Sequence, residues 1–250
     1  QRALQWGGGG VPAEFRHTGN PAAEKLNDGQ PITMTDTVSN LSVDITSIQA
    51  EPSAGVSWDM SGNTVTYTIP DQTKVVITYR ARVLFTSSGA LVTNFNNKVK
   101  MLGYHDEVDG HAERETSGGG SGSVPRINLM KYEAGNMAKR LAGAKFQLLD
   151  ANKKPVQGNM RDGVECDPYD LIFITDADGM ITVEGNQGRD GWSIIEDTRY
   201  YLREIEAPPD HMLATFDYSF QVSSDGTTDY SRYIYHSGDT MTAKNYPGTD

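Results

Sequence analysis

Val75-Val-Ile-Thr-Tyr-Arg-Ala-Arg-Val83 is the stretch that decides the fold. Val75, Ile77, Tyr79, Ala81 and Val83 occupy alternate positions, and Phe85 extends the row. A strand turns successive side chains to opposite faces, so a period of two marks a strand with one buried face. The neighbouring stretches repeat the pattern. Ile32 and Met34 alternate, as do Leu41, Val43 and Ile45, then Val65, Tyr67 and Ile69, then Phe95, Asn97, Val99 and Met101. Ser61-Gly-Asn63 and Pro70-Asp-Gln72 supply turns between them. Short strands at this spacing predict a β-sandwich. Residues 1–30 carry no such period, and the polar run from residue 11 to residue 30 reads as an irregular lead.

The second half follows the same plan. Ile127, Leu129 and Lys131 share one face, and Phe146 and Leu148 another, after the small-residue turn Leu141-Ala-Gly-Ala144. The apolar run Leu171 to Ile174 ends in Asp176-Ala-Asp-Gly179. Ile181 and Val183 resume the alternation, followed by Tyr200, Leu202 and Glu204, by Phe220 and Val222, and by Met241, Ala243 and Asn245. One helical turn is conceivable around Ala134 to Lys139, and the chain otherwise reads as all-β. The Gly/Ser run Ser117 to Ser123 has the composition of a flexible linker, native or engineered. It gives a lead at 1–30, a first sandwich at 31–116, a linker at 117–123 and a second sandwich at 124–250.

Composition narrows the function. The chain has 250 residues, with 22 Lys plus Arg against 33 Asp plus Glu and a formal charge of −11. That balance disfavours nucleic acid and anionic membranes, which attract basic patches. No apolar run is long enough to span a bilayer. Gln1 to Trp6 has no signal-peptide core, so an export signal is expected to lie outside this chain. The single cysteine, Cys166, excludes an internal disulfide and has no nucleophile motif around it. The five histidines lack metal-ligand spacing, and Asp176 with Asp178 does not fit a calcium loop. No metal, cofactor or turnover chemistry is expected.

Strand parity puts three polar groups where hydrophobes belong: Lys131, Glu204 and Asn245. Burial disfavours both charged forms, lowering the pKa of an amine and raising that of a carboxyl. A neutral amine can attack the carbon of a carboxamide, while a protonated carboxyl relays protons to the departing ammonia. A plain Lys131–Glu204 ion pair, with Asn245 at a frayed end, fits the same parity. In the first half, Asp36 and Asn97 offer an acid and an amide, but Lys98 and Lys100 have the wrong parity and Lys25 lies in the polar lead.

Four ordered motifs carry a resemblance. Ile127-Asn-Leu-Met-Lys-Tyr132 with Leu141-Ala-Gly-Ala-Lys-Phe146, Thr175-Asp-Ala-Asp-Gly-Met-Ile-Thr182, Tyr200-Tyr-Leu-Arg-Glu-Ile-Glu-Ala-Pro208 and Thr242-Ala-Lys-Asn245 look like the B-type repeats of Gram-positive adhesins and pilins. That resemblance to the SpaA-like, or Cna-B, family implies an immunoglobulin-like or prealbumin-like fold for residues 124–247. It also implies a Lys131–Asn245 isopeptide bond promoted by Glu204. Pro209-Asp-His-Met212 departs from the family's usual loop and is expected to leave the chemistry untouched. An insertion at about Asn159 to Tyr169 is unusual. Thr35-Asp-Thr-Val-Ser-Asn-Leu41 and Asn96-Asn-Lys-Val99 resemble a stalk module less specifically.

The reading is two tandem β-sandwiches from a cell-surface adhesin or pilus, a fragment without sorting signal. Its partners would be other pilin or adhesin subunits. The alternative is a sandwich that binds a host matrix protein or glycan.

Overall fold

The structure, a computed structural model, describes residues 11–84, 92–113, 124–224, 227–231, 234–237 and 239–248. The Gly7 to Gly10 run, Phe85 and the Ser117 to Ser123 linker lie outside them. The chain divides into two compact units, Gln1–Gly119 with Gly135–Ala138 and Gly120–Ala134 with Lys139–Asp250; the strand that contains Asn136 to Ala138 is described with the second, whose sheet it joins. Both are β-structures with a buried interior, and each is taken in turn.

The first unit contains β1 (Pro12–Gly19), β2 (Ile32–Ser39), β3 (Leu41–Val43), β4 (Gln49–Glu51), β5 (Ser57–Ser61), β6 (Thr64–Ile69), β7 (Val75–Val83), β8 (Val92–Met101) and β9 (Tyr104–Glu113). One sheet sets β7 between β1 and β3, with β4 also on β7. The other has the order β5-β6-β2-β8-β9. Along β7 the even alternation holds from end to end: Val75, Ile77, Tyr79, Ala81 and Val83 are buried. They share the interior with Ile32, Met34, Tyr67 and Ile69 from the second sheet.

The expected irregular lead is corrected here. Pro12–Gly19 is a strand, paired antiparallel with β7 from Pro12 opposite Arg82 to Gly19 opposite Val75. Its inward positions are Ala13, Phe15, His17 and Gly19, so only one large apolar residue marks the period. Gly19 is needed for closeness, because a Cβ there would meet Ile69 Cδ1 at 2.6 Å. The following segment is tied down by Asp71, whose carboxylate accepts the backbone N–H groups of Leu26, Asn27 and Gly29. Burial pushes that carboxyl up, but these bonds and one from Gln72 overcome it and hold it at about 2.

The second unit begins with β10 (Ile127–Glu133), β11 (Asn136–Arg140), β12 (Lys145–Leu149), β13 (Gln157–Arg161), β14 (Val164–Asp170), β15 (Ile172–Ile174) and β16 (Met180–Val183). The one-turn helix α1 (Gln187–Asp190) follows, then β17 (Thr198–Glu206), β18 (Tyr218–Val222), β19 (Thr228–Tyr230), β20 (His236–Ser237) and β21 (Thr240–Asn245). One sheet runs β11-β10-β21-β20 with β16 also on β10, and the other runs β15-β12-β17-β18-β19. Ile127, Leu129, Phe146, Leu148, Leu202, Phe220 and Met241 form the fully buried centre between them. Burial of such side chains, each contributing about 1.5–3 kcal/mol, is the main support of the unit.

Three local readings change. Ala134 to Lys139 is a hairpin: Gly135 takes φ +85°, which a helix forbids, and Asn136 bonds the backbone N–H of Ala138. The helical turn instead lies at Gln187–Asp190, capped by the Asn186 side chain and by left-handed Gly191. The insertion forms the separate hairpin β13–β14, with Cys166 half-exposed on it. In the Asp176 turn, the carboxylate accepts the N–H groups of Asp178 and Met180. Gly179 at φ +69° closes that turn against β10, where a Cβ would come within 2.5 Å of the Lys131 carbonyl.

Candidate functional site

In the second unit, β10 and β21 run parallel, with Lys131 opposite Ala243 and Glu133 opposite Asn245. Asn245 therefore sits two residues beyond Lys131 on the same inward face. Glu204 reaches them from β17 in the other sheet, where it lies opposite Phe146 beside a register shift. All three side chains are buried.

Lys131 Nζ is 2.8 Å from Glu204 Oε1. The two atoms meet as a buried ion pair, and neither has a further hydrogen-bond partner. Asn245 Nδ2 donates to Glu204 Oε2 at 2.8 Å and to the Met212 carbonyl at 2.7 Å. Asn245 Oδ1 is left without a partner. The Phe146 and Tyr218 rings lie 5.1 and 5.6 Å from the lysine nitrogen and keep water from it. Burial pushes the Lys131 amine down to about 8, against the opposing pull of the Glu204 charge. One carboxylate thus touches an amine with one oxygen and a carboxamide nitrogen with the other. It can carry a proton between them.

The loop after the Tyr200 to Pro208 motif takes a larger part than expected. Besides the Met212 carbonyl on Asn245, the Ala214 N–H donates to Glu204 Oε2 at 2.6 Å. The loop is anchored in turn. His211 Nε2 lies 3.2 Å from Glu133 Oε1, and the Met212 N–H donates to the Tyr246 carbonyl. The departure at Pro209 to Met212 therefore reaches the site through backbone groups, which side-chain motifs do not disclose.

In the first unit, Asp36 (β2) and Asn97 (β8) are also buried, but a tyrosine stands between them. The Tyr79 hydroxyl donates to Asp36 Oδ2 at 2.7 Å and accepts from Asn97 Nδ2. Burial and the Asp36 charge hold that phenol well above its ordinary pKa, so it keeps its proton. From β1, His17 Nε2 lies 3.1 Å from the same Asp36 oxygen. The unit's lysines are elsewhere: Lys25 near Asp28, Lys98 on Glu107, and Lys74 and Lys100 exposed. Sequence reading missed the part played by His17 and Tyr79, because a half-buried histidine on a strand with one large apolar residue gives no signal.

Residues 126–233 match the family described as SpaA, prealbumin-like fold domain. The second unit is a SpaA-like domain. The match takes in Lys131 and Glu204 and ends before Asn245. No curated protein matches the chain. Among solved structures, the Bacillus cereus major pilin BcpA is similar at 17% identity and TM-score 0.30, over 100% of this chain and 66% of that one. The chain thus spans about two thirds of that pilin's length. Domains D2 and D3 of the Corynebacterium diphtheriae major pilin SpaD are similar at 14% identity and TM-score 0.28, over 95% and 93%. The Actinomyces fimbrial adhesin FimA gives 19% identity and TM-score 0.26, over 96% and 94%. Likeness at this level carries no argument about activity. Among the described residues, no helix is long and apolar enough to cross a membrane.

Proposed function

We propose that the chain is a structural and adhesive part of a Gram-positive surface adhesin or pilus, and that its SpaA-like domain closes on itself through a Lys131–Asn245 amide promoted by Glu204. The supporting observation is the buried contact of Glu204 with both other residues, 2.8 Å to the amine and 2.8 Å to the amide nitrogen. Desolvation lowers the Lys131 amine and so favours its neutral, nucleophilic form. The amine nitrogen attacks Asn245 Cγ and forms the new C–N bond. Glu204 takes the proton that the amine sheds and supplies one to Nδ2. The Cγ–Nδ2 bond then breaks and ammonia leaves. No oxidant or cofactor enters, and each molecule reacts once. Contact held by the fold replaces a turnover cycle, since well-oriented groups reach effective molarities of about 10⁵ M or more.

The intact mass decides. The wild-type chain should be lighter than its sequence by one ammonia, and Glu204→Ala should carry its full mass. Full mass in the folded wild type would leave a buried ion pair and no cross-link. The alternative of a ligand-binding sandwich has no comparable observation behind it. The strongly exposed aromatic residues, Tyr104, Phe216 and Tyr246 among those described, come from separate elements.

A further inference from the structure

The polar atoms without hydrogen-bond partners repeat between the two units. In the second they include the nitrogen of Lys131, one oxygen of Glu204 and the amide oxygen of Asn245. In the first they include the Nε2 of His17, one oxygen of Asp36 and the amide oxygen of Asn97. Each set joins a basic nitrogen, a carboxylate and a carboxamide inside a dry core. Buried polar atoms are seldom left without a hydrogen bond, and the basic nitrogen of each set has only its contact with the carboxylate. The two sets hold the same three kinds of group.

We propose that His17, Asp36, Tyr79 and Asn97 form an amide-forming site that lacks only its nucleophile, and that a primary amine supplied at position 17 condenses with the Asn97 carboxamide. The proposal rests on the chemistry assigned above to Lys131. His17 Nε2 lies 3.1 Å from Asp36, much as Lys131 lies 2.8 Å from Glu204. Imidazole cannot complete the reaction, because an acyl-imidazole is more reactive than the carboxamide it would replace. A lysine side chain is longer and would carry its nitrogen beyond the imidazole position, which already lies beside Asp36 and the Tyr79 ring that holds Asn97. Its nitrogen would bond to Asn97 Cγ and give up a proton to Asp36. The Tyr79 hydroxyl, bonded to both Asp36 and Asn97 Nδ2, passes a proton on to that nitrogen. The Cγ–Nδ2 bond breaks and ammonia leaves, so atoms and charge balance. The native unit, with histidine there, is joined at this point by breakable contacts alone.

The placement differs in one respect. Asp36 and Asn97 belong to the β5-β6-β2-β8-β9 sheet, and His17 to the sheet holding β1 and β7. The new bond would cross between sheets, whereas Lys131 and Asn245 lie within one sheet.

The test is His17→Lys in the full chain, with proteolytic peptides read separately for each unit. A linked peptide joining positions 17 and 97, lighter by one ammonia and absent from the His17→Lys/Asn97→Ala chain, is the expected result. A folded His17→Lys chain with both peptides unlinked overturns the proposal. Should that chain be insoluble, His17→Lys/Phe15→Leu gives the longer side chain more room while keeping the Tyr79 relay, and unlinked peptides there overturn it equally. Insolubility of both lysine chains beside a folded His17→Met chain also counts against it, since the pocket would then reject an amine. A 17–97 link without a 131–245 link would sink the reading of the SpaA-like domain and leave this one standing.

Discussion

The two polar clusters hold the same kinds of group, but Lys131 is fully buried whereas the His17 side chain keeps 12% of its exposure. In the SpaA-like domain a lysine faces the acid, and Glu204 contacts amine and amide directly. In the first unit a histidine faces the acid, and the Tyr79 hydroxyl fills the gap to the amide. A side chain that can be acylated to a stable product makes a lasting closure. One that cannot leaves a set of hydrogen bonds, each worth about 1 kcal/mol net. On the proposed chemistry, the choice of one residue would separate a domain that cannot reopen from one that can.

Lys131→Ala breaks the comparison hardest. It removes the proposed cross-link, worth about 2–4 kcal/mol if it constrains the unfolded chain as a disulfide does. It also empties the space that the buried lysine side chain fills, a large-to-small change that adds roughly 2–5 kcal/mol. Calorimetry should show the second unit's Tm falling by more than about 10 °C. His17→Ala should lower the first unit's Tm by distinctly less, and equal falls would erase the distinction.

A smaller effect concerns pH. Asn245→Ala cannot cross-link but keeps Lys131, whose pKa falls from 10.5 to about 8 on folding. Between those values the unfolded chain holds a proton that the folded chain has lost, so stability rises with pH. Relative to Lys131→Met/Asn245→Ala, the gain from pH 8 to pH 10 should be at most about 3 kcal/mol by urea titration. A flat difference would mean that Lys131 is not desolvated as described.

Tyr79→Phe sharpens the first-unit side. It removes the hydroxyl shared by Asp36 and Asn97 and should cost roughly 2 kcal/mol, because both are then left short of a partner. Asp71→Asn is the mildest. It should speed hydrogen exchange at Leu26, Asn27 and Gly29 while leaving both clusters intact. In the native chain the same loosening should appear only as pH falls through about 2, where that carboxyl takes up a proton.

Much of the fold was legible because alternation is a local property. The row through β7, and the inward parity of Lys131, Glu204 and Asn245, follow from period two alone. What escaped depends on distant partners or on backbone atoms. β1 owes its place to β7, more than fifty residues away, and its inward row is mostly small or polar. The β13–β14 hairpin is exposed on both faces and so has no period to read. Met212 and Ala214 act through C=O and N–H groups, which every residue carries.

The parallel pairing of β10 with β21 fixes where tension would travel. A pull applied at the two ends of this domain enters along β10 and leaves along β21, its first and last strands. With the amide closed, that load passes from Lys131 straight to Asn245 over one side-chain bridge. Everything from Tyr132 to Lys244, the whole hydrophobic interior included, hangs as an unloaded loop. A domain closed in that way would behave as a short inextensible link, and its interior packing could vary without weakening whatever it joins.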